Sequence, residues 1–311
     1  MNRLLLPLCV AAALACDLQW SHANQPPVRE HHVHRDVLAR DESVVGRAAV
    51  DGRYLLLTSG RRLVEISRRG SVSHRALSLN DMELWSLGVA ADGTLWALAG
   101  RDMLVEVVTS GTPRRIALDG AYAGVHTGPG FLLFQPYDFR VGSAALLRGE
   151  PAAVGGPAGR LKVAGGNGRR VAVWMKSLVQ CGFASNDRLP CWPAGAAVVD
   201  VIGADGVGRL VPLGDLAPAI EMSGEDFAER GRPVLQDVAF GEGGALWVLA
   251  SAPGAPAAKE RGVRDLWKYS MTGERLERYG LAAPARMLLP AGPGRLFAIS
   301  GAGHLVRLDV R

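Results

Sequence analysis

The sequence lacks the short motifs that mark several large enzyme classes. It contains no Gly-Lys-Ser/Thr phosphate loop, no Gly-x-Ser-x-Gly nucleophile elbow and no His-Glu-x-x-His metal-binding helix. Nucleotide hydrolysis, serine-hydrolase chemistry and zinc-dependent proteolysis built on those motifs are therefore not indicated. We predict no catalytic residue from the sequence.

Aromatic residues and lysine are also scarce. Aromatics make up 6% of the chain, and only four of its 35 basic residues are lysine. We interpret the formal net charge of +5 as scattered surface arginine in a composition rich in arginine, alanine and glycine. A nucleic-acid surface requires clustered basic residues with aromatics that stack on bases, whereas the aromatics here lie within predicted strands. No nucleic-acid partner is predicted.

The N-terminal apolar run is too short to cross a membrane. It extends from Leu4 to Ala15 behind Arg3, which fits a secretory signal. Cleavage after the small-x-small sequence Ser21–Ala23 would remove residues 1–23. Alternatively, Ala13–Cys16 resembles a bacterial lipoprotein box, in which Cys16 would be lipidated. That lipid is the only membrane contact that we predict.

The predicted export sets the domain organisation. We expect residues 1–23 to be a signal peptide, residues 24–29 a linker and residues 30–311 a single domain. The hydrophobic content of 48% is ample for one core, and all-β folds often run long as one domain. The protein is predicted to be periplasmic or secreted, with a membrane-anchored lipoprotein as the alternative.

Cysteine is rare, with four in the chain, and either signal ending leaves two in the folded part, Cys181 and Cys191. An even pair in an exported protein predicts a disulfide. In the loop-entropy model such a bridge would contribute roughly 2–3 kcal/mol. We expect the segment from Cys181 to Pro193 to be a loop between the second and third strands of a repeat.

The clearest pattern in the chain is a run of short strands between Pro233 and Gly280. Apolar stretches alternate with glycine-containing turns, which predicts a small antiparallel meander. The predicted strands are Val234–Phe240, Ala245–Ala250, Asp265–Ser270 and Arg275–Tyr279. A four-stranded sheet with two apolar faces must stack on copies of itself, which is the construction principle of a β-propeller.

The same unit recurs along the chain. Six predicted second strands each begin at a glycine, and the interval is about 40 residues except for one longer gap. The leading residues are Gly52, Gly93, Gly130, Gly168, Gly244 and Gly294. The longer gap is predicted to hold one unit with two inserts, Cys181–Pro193 and Asp215–Arg232. We therefore predict an all-β fold, a β-propeller of six four-stranded blades.

The sixth unit is one strand short, because the chain ends soon after Leu305–Val310. An unpartnered alternating segment, Glu30–Leu38, stands at the other end of the domain. We predict that this N-terminal strand completes the last blade and removes the open sheet edge.

This pattern resembles the six-bladed propellers of the NHL-repeat and gluconolactonase-like type. The residues that carry the resemblance are the Asp51-Gly52 and Asp92-Gly93 hairpins, the Leu-Trp strand cores and the segment Leu266–Glu274. The likeness covers Ser43–Arg311. It implies a fold, and it implies little about activity.

Innermost strands of propellers line a central channel, so their early residues are the expected ligand contacts. They form a mixed polar and aromatic funnel that suits an anionic or zwitterionic small molecule. The predicted ligand-binding residues are Glu83, Trp85, Tyr122, Arg160, Lys162, Gln236, Asp237 and Arg286.

The resemblance also implies an enzymatic alternative. Gluconolactonase-like enzymes hold a divalent cation such as calcium at the channel mouth with oxygen ligands, for which Glu83 and Asp237 are candidates. That reading is a metal-dependent, lactonase-like hydrolase, although no third ligand can be placed. Streptogramin-lyase-like propellers use a histidine base, for which His126 and His304 are the available residues, but a lone histidine is more often structural.

We favour a binding or scaffolding module for an envelope protein or a small ligand, acting as a monomer. Long inserts on a propeller are common sites of partner binding. Trp192 in the first insert and Phe227 in the second are the predicted exposed anchors for a partner.

Overall fold

The structure, a computed structural model, describes most of the chain between residues 28 and 310. The predicted signal peptide, including Cys16, and residues 24–27 of the linker lie outside the described ranges. These ranges are 28–39, 41–77, 79, 82–108, 111–118, 120–137, 145–149, 164–170, 179–185, 187–193, 197–205, 208–216, 235–251 and 262–310.

Almost all regular structure in these ranges is β-strand. Two 3-10 turns, Gly214–Leu216 and Glu242–Gly244, accompany the strands. No helix in the described ranges has the length and apolar character needed to cross a membrane. In chain order the strands are β1 (Arg29–His34), β2 (Val44–Val50), β3 (Arg53–Thr58), β4 (Arg62–Ser67), β5 (Val72–Ala76), β6 (Leu84–Val89), β7 (Leu95–Ala99), β8 (Met103–Glu106), β9 (Arg115–Ala117), β10 (Tyr122–Gly128), β11 (Phe131–Pro136), β12 (Ala145–Gly149), β13 (Ala164–Arg170), β14 (Val179–Cys181), β15 (Arg188–Pro193), β16 (Val198–Gly203), β17 (Gly208–Pro212), β18 (Leu235–Phe240), β19 (Leu246–Ala250), β20 (Val263–Tyr269), β21 (Arg275–Gly292), β22 (Arg295–Ser300) and β23 (Leu305–Asp309).

The strands form five antiparallel sheets. Four of them contain four consecutive strands each, and we call them the first (β2–β5), second (β6–β9), third (β10–β13) and fourth (β14–β17) sheets. The fifth, which we call the long sheet, has seven strands in the order β1-β23-β22-β21-β20-β19-β18. Strand β21 connects its two halves, because its first part pairs with β20 and its last part pairs with β22.

The turn chemistry of the sequence accounts for the hairpins. In the β2–β3 hairpin, Val50 pairs with Arg53 across a two-residue turn. The turn residues have positive φ, 48° at Asp51 and 72° at Gly52. Such turns match the right-handed twist of the strands, and Asp-Gly adopts them readily. The predicted Asp51-Gly52 hairpin is therefore confirmed.

Six apolar clusters pack the sheets against one another in sequence order. Four clusters join the first sheet to the second, the second to the third, the third to the fourth, and the fourth to β18–β20. A fifth lies between the two halves of the long sheet. The sixth packs β21–β23 against the first sheet.

The predicted N-terminal strand pairs as expected with the last strand of the chain. β1 runs antiparallel to β23, with Arg29 opposite Asp309. The segment after β1 is buried, with Leu38 1% exposed, and the Leu38 amide donates to the Gly303 carbonyl at 3.1 Å. This end of the chain therefore contributes both a strand and core packing.

The fourth sheet corrects the predicted repeat. Gly168 lies in β13, the last strand of the third sheet, and does not begin the second strand of the next unit. That second strand is β15, and the turn before it ends in Asp187 and has no leading glycine. The glycine pattern does not predict this strand, because its turn is closed by a hydrogen bond from the Ser185 amide to the Arg188 carbonyl and not by a leading glycine.

The same correction changes the setting of the disulfide. The predicted Cys181–Cys191 bond is confirmed. The segment between them is not a loop between second and third strands, because Cys181 lies in β14 and pairs directly with Cys191 in β15, at a Cα–Cα distance of 4.0 Å. The bond thus links adjacent strands at the start of the fourth sheet. It is compatible with an extracellular or periplasmic location.

The burial of Leu38 generates a stability prediction. Leu38→Ala should lower the free energy of unfolding by about 2–5 kcal/mol, because a cavity would remain between β23 and the first sheet. Leu276→Ala is the matched control, since Leu276 is 47% exposed, and it should cost less than about 0.5 kcal/mol. Urea denaturation of the three proteins measures the difference. Equal losses would show that the N-terminal segment is not part of the core.

Candidate functional site

A cavity of about 730 Å³ lies where six hairpins meet. Each hairpin connects two strands that are consecutive in the chain and antiparallel in the sheet. The six turns belong to the hairpins β2–β3, β6–β7, β10–β11, β14–β15, β18–β19 and β21–β22. The turns are short and glycine-rich, so backbone as well as side chains borders the cavity.

The charged side chains around the cavity are mostly cationic. Two aspartates, Asp51 and Asp187, face four arginines. The arginines are Arg53, Arg68, Arg188 and Arg295. Arg53 donates to Glu65 at 3.2 Å, and Arg188 lies 3.2 Å from Asp187. Neither Arg68 nor Arg295 forms an ion pair within the described residues.

The wall between the charges is aromatic and apolar. Tyr54, Phe183, Phe240 and Trp247 border the cavity, and the rings of Tyr54 and Phe183 meet edge to face at 4.8 Å. The Tyr54 hydroxyl donates to the Pro290 carbonyl, which ties the first sheet to the long sheet. Burial raises the pKa of Tyr54 to about 12, against a smaller lowering by Arg68. Tyr54 is therefore neutral at physiological pH.

Phe183 also contacts a buried ion pair that connects first strands of several sheets. Arg47 in β2 donates through Nη1 to Oδ1 of Asp237 in β18 at 2.7 Å. Its Nε donates to the Cys181 carbonyl in β14 at 2.6 Å. The guanidinium also lies 5.6 Å from the ring centre of Phe183 and 5.5 Å from that of Trp192, within the range of cation–π attraction.

Asp237 is fully enclosed by its partners. Besides Arg47, it accepts from the Leu288 amide through Oδ2 at 2.7 Å and from the Val238 amide through Oδ1 at 2.9 Å. Burial raises the pKa of Asp237, while Arg47 and the two amides oppose that rise. An acidic group this deeply buried needs all of these partners, because an unpaired buried charge is costly.

His126 lies half-buried in the first strand of the third sheet. Burial, with a further contribution from the positive charge of Arg47, lowers the pKa of His126 to about 4. Its Nε2 has no hydrogen-bond partner within the described part of the chain. The imidazole is therefore neutral at physiological pH.

Comparison with known proteins bears on the fold. No protein-family model and no curated protein sequence matches the chain. A solved structure of unknown function from Bacteroides thetaiotaomicron matches with a TM-score of 0.51 and 10% identity, over 91% of this chain and 76% of that one. An X-ray structure of a protein proposed to be a gluconolactonase matches with a TM-score of 0.50 and 14% identity, over 92% and 93%. The fold is propeller-like. Identities this low show the fold alone.

The residues predicted for the channel mouth lie toward the other ends of the first strands. Trp85 is 43% exposed and Tyr122 is buried against Phe134. Gln236 donates to the Arg286 carbonyl at 3.4 Å. Glu83 is exposed just before β6, while Arg160, Lys162 and Phe227 lie outside the described residues. A ligand role for these residues stays a prediction.

Trp192 does not have the predicted exposure. It is 0% exposed and packs in the cluster between the fourth sheet and β18–β20. The reason is its position in a strand, where alternate side chains face the neighbouring sheet, and not in a surface insert. Trp192 is therefore not an exposed anchor in this structure.

One of the two predicted metal ligands, Asp237, is already occupied. Both oxygens of Asp237 already accept hydrogen bonds, from Arg47 and from backbone amides. In the described ranges, no group of three or more His, Cys, Asp or Glu side chains could hold a metal ion.

Sequence reasoning missed the arginines around the cavity. Arg53 and Arg295 directly follow the hairpin residues Gly52 and Gly294, so the signal was present in the aligned glycines. The prediction placed the site at the beginning of the first strands, whereas the cavity lies at their ends.

The Arg47–Asp237 pair generates a stability prediction. Asp237→Asn should lower the free energy of unfolding by about 3–5 kcal/mol, because it leaves the Arg47 charge without its buried partner. Asp309→Asn is the control, since Asp309 is 30% exposed in its ion pair with Arg307 and should cost less than about 1 kcal/mol. Urea denaturation tests both. A small loss in Asp237→Asn would mean that the pair is not structural.

A second prediction concerns pH. The unfolded chain takes up the His126 proton near pH 6.5, but the folded chain does so only near pH 4, so stability should fall as the pH drops between these values. The loss due to His126 should be about 2 kcal/mol between about pH 7 and about pH 5. Urea midpoints at both pH values measure it. His126→Asn should reduce this dependence, and an unchanged dependence in that variant would contradict the prediction.

Proposed function

We propose that the chain is an exported, six-bladed β-propeller that binds a small molecule in the cavity at one end of its central channel. The observation that carries the proposal is the convergence of six equivalent hairpins on one cavity. Each hairpin joins the first and second strands of a unit, which is the arrangement expected at one mouth of a propeller.

The blade count rests on how the long sheet divides. β18–β20 with the first part of β21 make one four-stranded unit, and the rest of β21 with β22, β23 and β1 makes another. Together with the four separate sheets, these give six blades. Packing of β21–β23 on the first sheet supports a closed ring, and pairing of β1 with β23 supplies the missing strand of the last blade.

Binding without catalysis suits the chemistry of the cavity. A volume of about 730 Å³ lies within the usual range of about 300–1,000 Å³ for small-molecule sites. Arginine side chains offer hydrogen-bond donors and no acceptor, and Tyr54 stays neutral, so these groups can hold a ligand but are poor proton acceptors. All six hairpins belong to one chain, so a monomer is sufficient for the site.

Export is supported by two features. The N-terminal sequence has a secretory pattern, and the Cys181–Cys191 bond suits an oxidising compartment. We therefore place the protein in the periplasm or outside the cell, with lipidation at Cys16 as the alternative form of export. A protein partner is the less favoured occupant, because the lining is concave.

A thermal-shift screen against a library of small metabolites tests the proposal. We expect at least one compound to raise the melting temperature of the natural protein and to have no effect on Ala91→Trp, in which the indole fills the cavity from the β6–β7 turn. Ala204→Trp, at an exposed turn away from the cavity, is the matched control and should respond normally.

The same assay separates the proposal from the metal-dependent hydrolase. If only calcium added to chelated protein raised the melting temperature, and Ala91→Trp left that rise intact, the cavity would not be the site. Compounds that stabilise Ala91→Trp as strongly as the natural protein would equally contradict the proposal.

A further inference from the structure

We infer that the ligand of this cavity is a small organic anion, bearing a carboxylate or phosphate group that Arg68 and Arg295 bind. The inference rests on the proposed function, because it names the ligand class of the same cavity. It follows from the charges that remain after the internal ion pairs have formed.

The lining of the cavity carries more positive than negative charge. Four arginines face two aspartates, so the cavity carries excess positive charge. Arg53 pairs with Glu65 at 3.2 Å and lies 3.9 Å from Asp51, and Arg188 pairs with Asp187. In the described residues Arg68 and Arg295 lack a carboxylate partner, and their charges face the cavity without internal compensation. A bound anion would supply the missing negative charge.

Arg68 reaches the cavity from the turn between β4 and β5. This residue follows β4, in the turn that leads to β5, yet its side chain extends back over the β2–β3 hairpin. A Cβ added to Gly52 would lie only 3.3 Å from the Arg68 Nε. A side chain at Gly52 would therefore crowd the Arg68 guanidinium, and the φ of 72° at Gly52 further disfavours substitution there.

Arg295 lies on the neighbouring wall of the cavity. Arg295 is the first residue of β22, directly after the β21–β22 turn, and it lines the cavity. That turn adjoins the first sheet, where the Tyr54 hydroxyl donates to the Pro290 carbonyl. The two uncompensated arginines therefore come from hairpins of adjacent sheets.

The chemistry of the guanidinium group selects the class of anion. A guanidinium presents a planar fork of donors that matches the oxygens of a carboxylate or a phosphate. The apolar walls next to the charges, which include Phe240 and Trp247, suit an organic body attached to the anionic group. Arginines in a partly enclosed cavity attract an anion more strongly than they would on open surface.

Isothermal titration calorimetry at low ionic strength tests the inference, with citrate as the carboxylate probe, pyrophosphate as the phosphate probe and glucose as the neutral one. At least one anion should bind, and glucose should not. Arg68→Gln and Arg295→Gln should each weaken that binding by about tenfold. Arg69→Gln and Arg115→Gln, exposed arginines outside the cavity, are the controls and should change it by less than about twofold. Added salt should weaken binding.

Each outcome decides the inference. No heat from either anion at concentrations up to about 10 mM would overturn it. Anion binding that survives Ala91→Trp, or that the control variants weaken equally, would reveal general surface attraction and would also overturn it. If neutral compounds stabilise the natural protein but not Ala91→Trp while both anions fail, the cavity is a ligand site and only its anionic class is wrong.

Discussion

The Arg47–Asp237 ion pair is the constraint on which the centre of the molecule depends. It joins β2 near the start of the chain to β18 beyond its middle, and Arg47 also holds the Cys181 carbonyl in β14. The amide of Leu288 in β21 completes the set of donors around Asp237. Buried charges are tolerated only when every partner is in place, because desolvation costs several kcal/mol for each ion. The pair therefore ties β2, β14, β18 and β21 together directly.

The cavity follows from that arrangement. When the first strands are fixed, the turns at their ends are fixed as well, and the side chains that follow those turns surround one space. Rigid strands carrying short turns are a common way to position binding residues, because the turns can vary without disturbing the core. In this protein Arg53 and Arg295 each open a second strand, so their backbone positions are set by sheet pairing. The Arg68 side chain reaches the same space by passing next to Gly52.

The repeat was predictable where local turn chemistry was strong. Asp51-Gly52 and the Pro233–Gly280 meander predict hairpins correctly, because residues with positive φ and alternating apolar residues act over a few positions. The fourth sheet was not predictable in this way. Its first hairpin has no leading glycine, and Gly168 mimics the signal in a strand that belongs to the third sheet. The exposure predicted for Trp192 was wrong for the same reason. The sequence around Trp192 does not show whether it forms a paired strand or a surface insert, because that depends on which strands lie beside it.

The sequence alone determined the all-β class, the short-strand repeat, the pairing of the chain ends and the Cys181–Cys191 bond, because each depends on local pattern or on a small number of cysteines. Only the tertiary structure decided which residues share a site. Asp237 looks like a free carboxylate in the sequence, but Arg47, 190 positions earlier, occupies it. The arginines of the cavity come from turns that are remote along the chain and adjacent only when the sheets pack. Contacts of this kind depend on how the sheets are arranged around the centre, which no local pattern encodes.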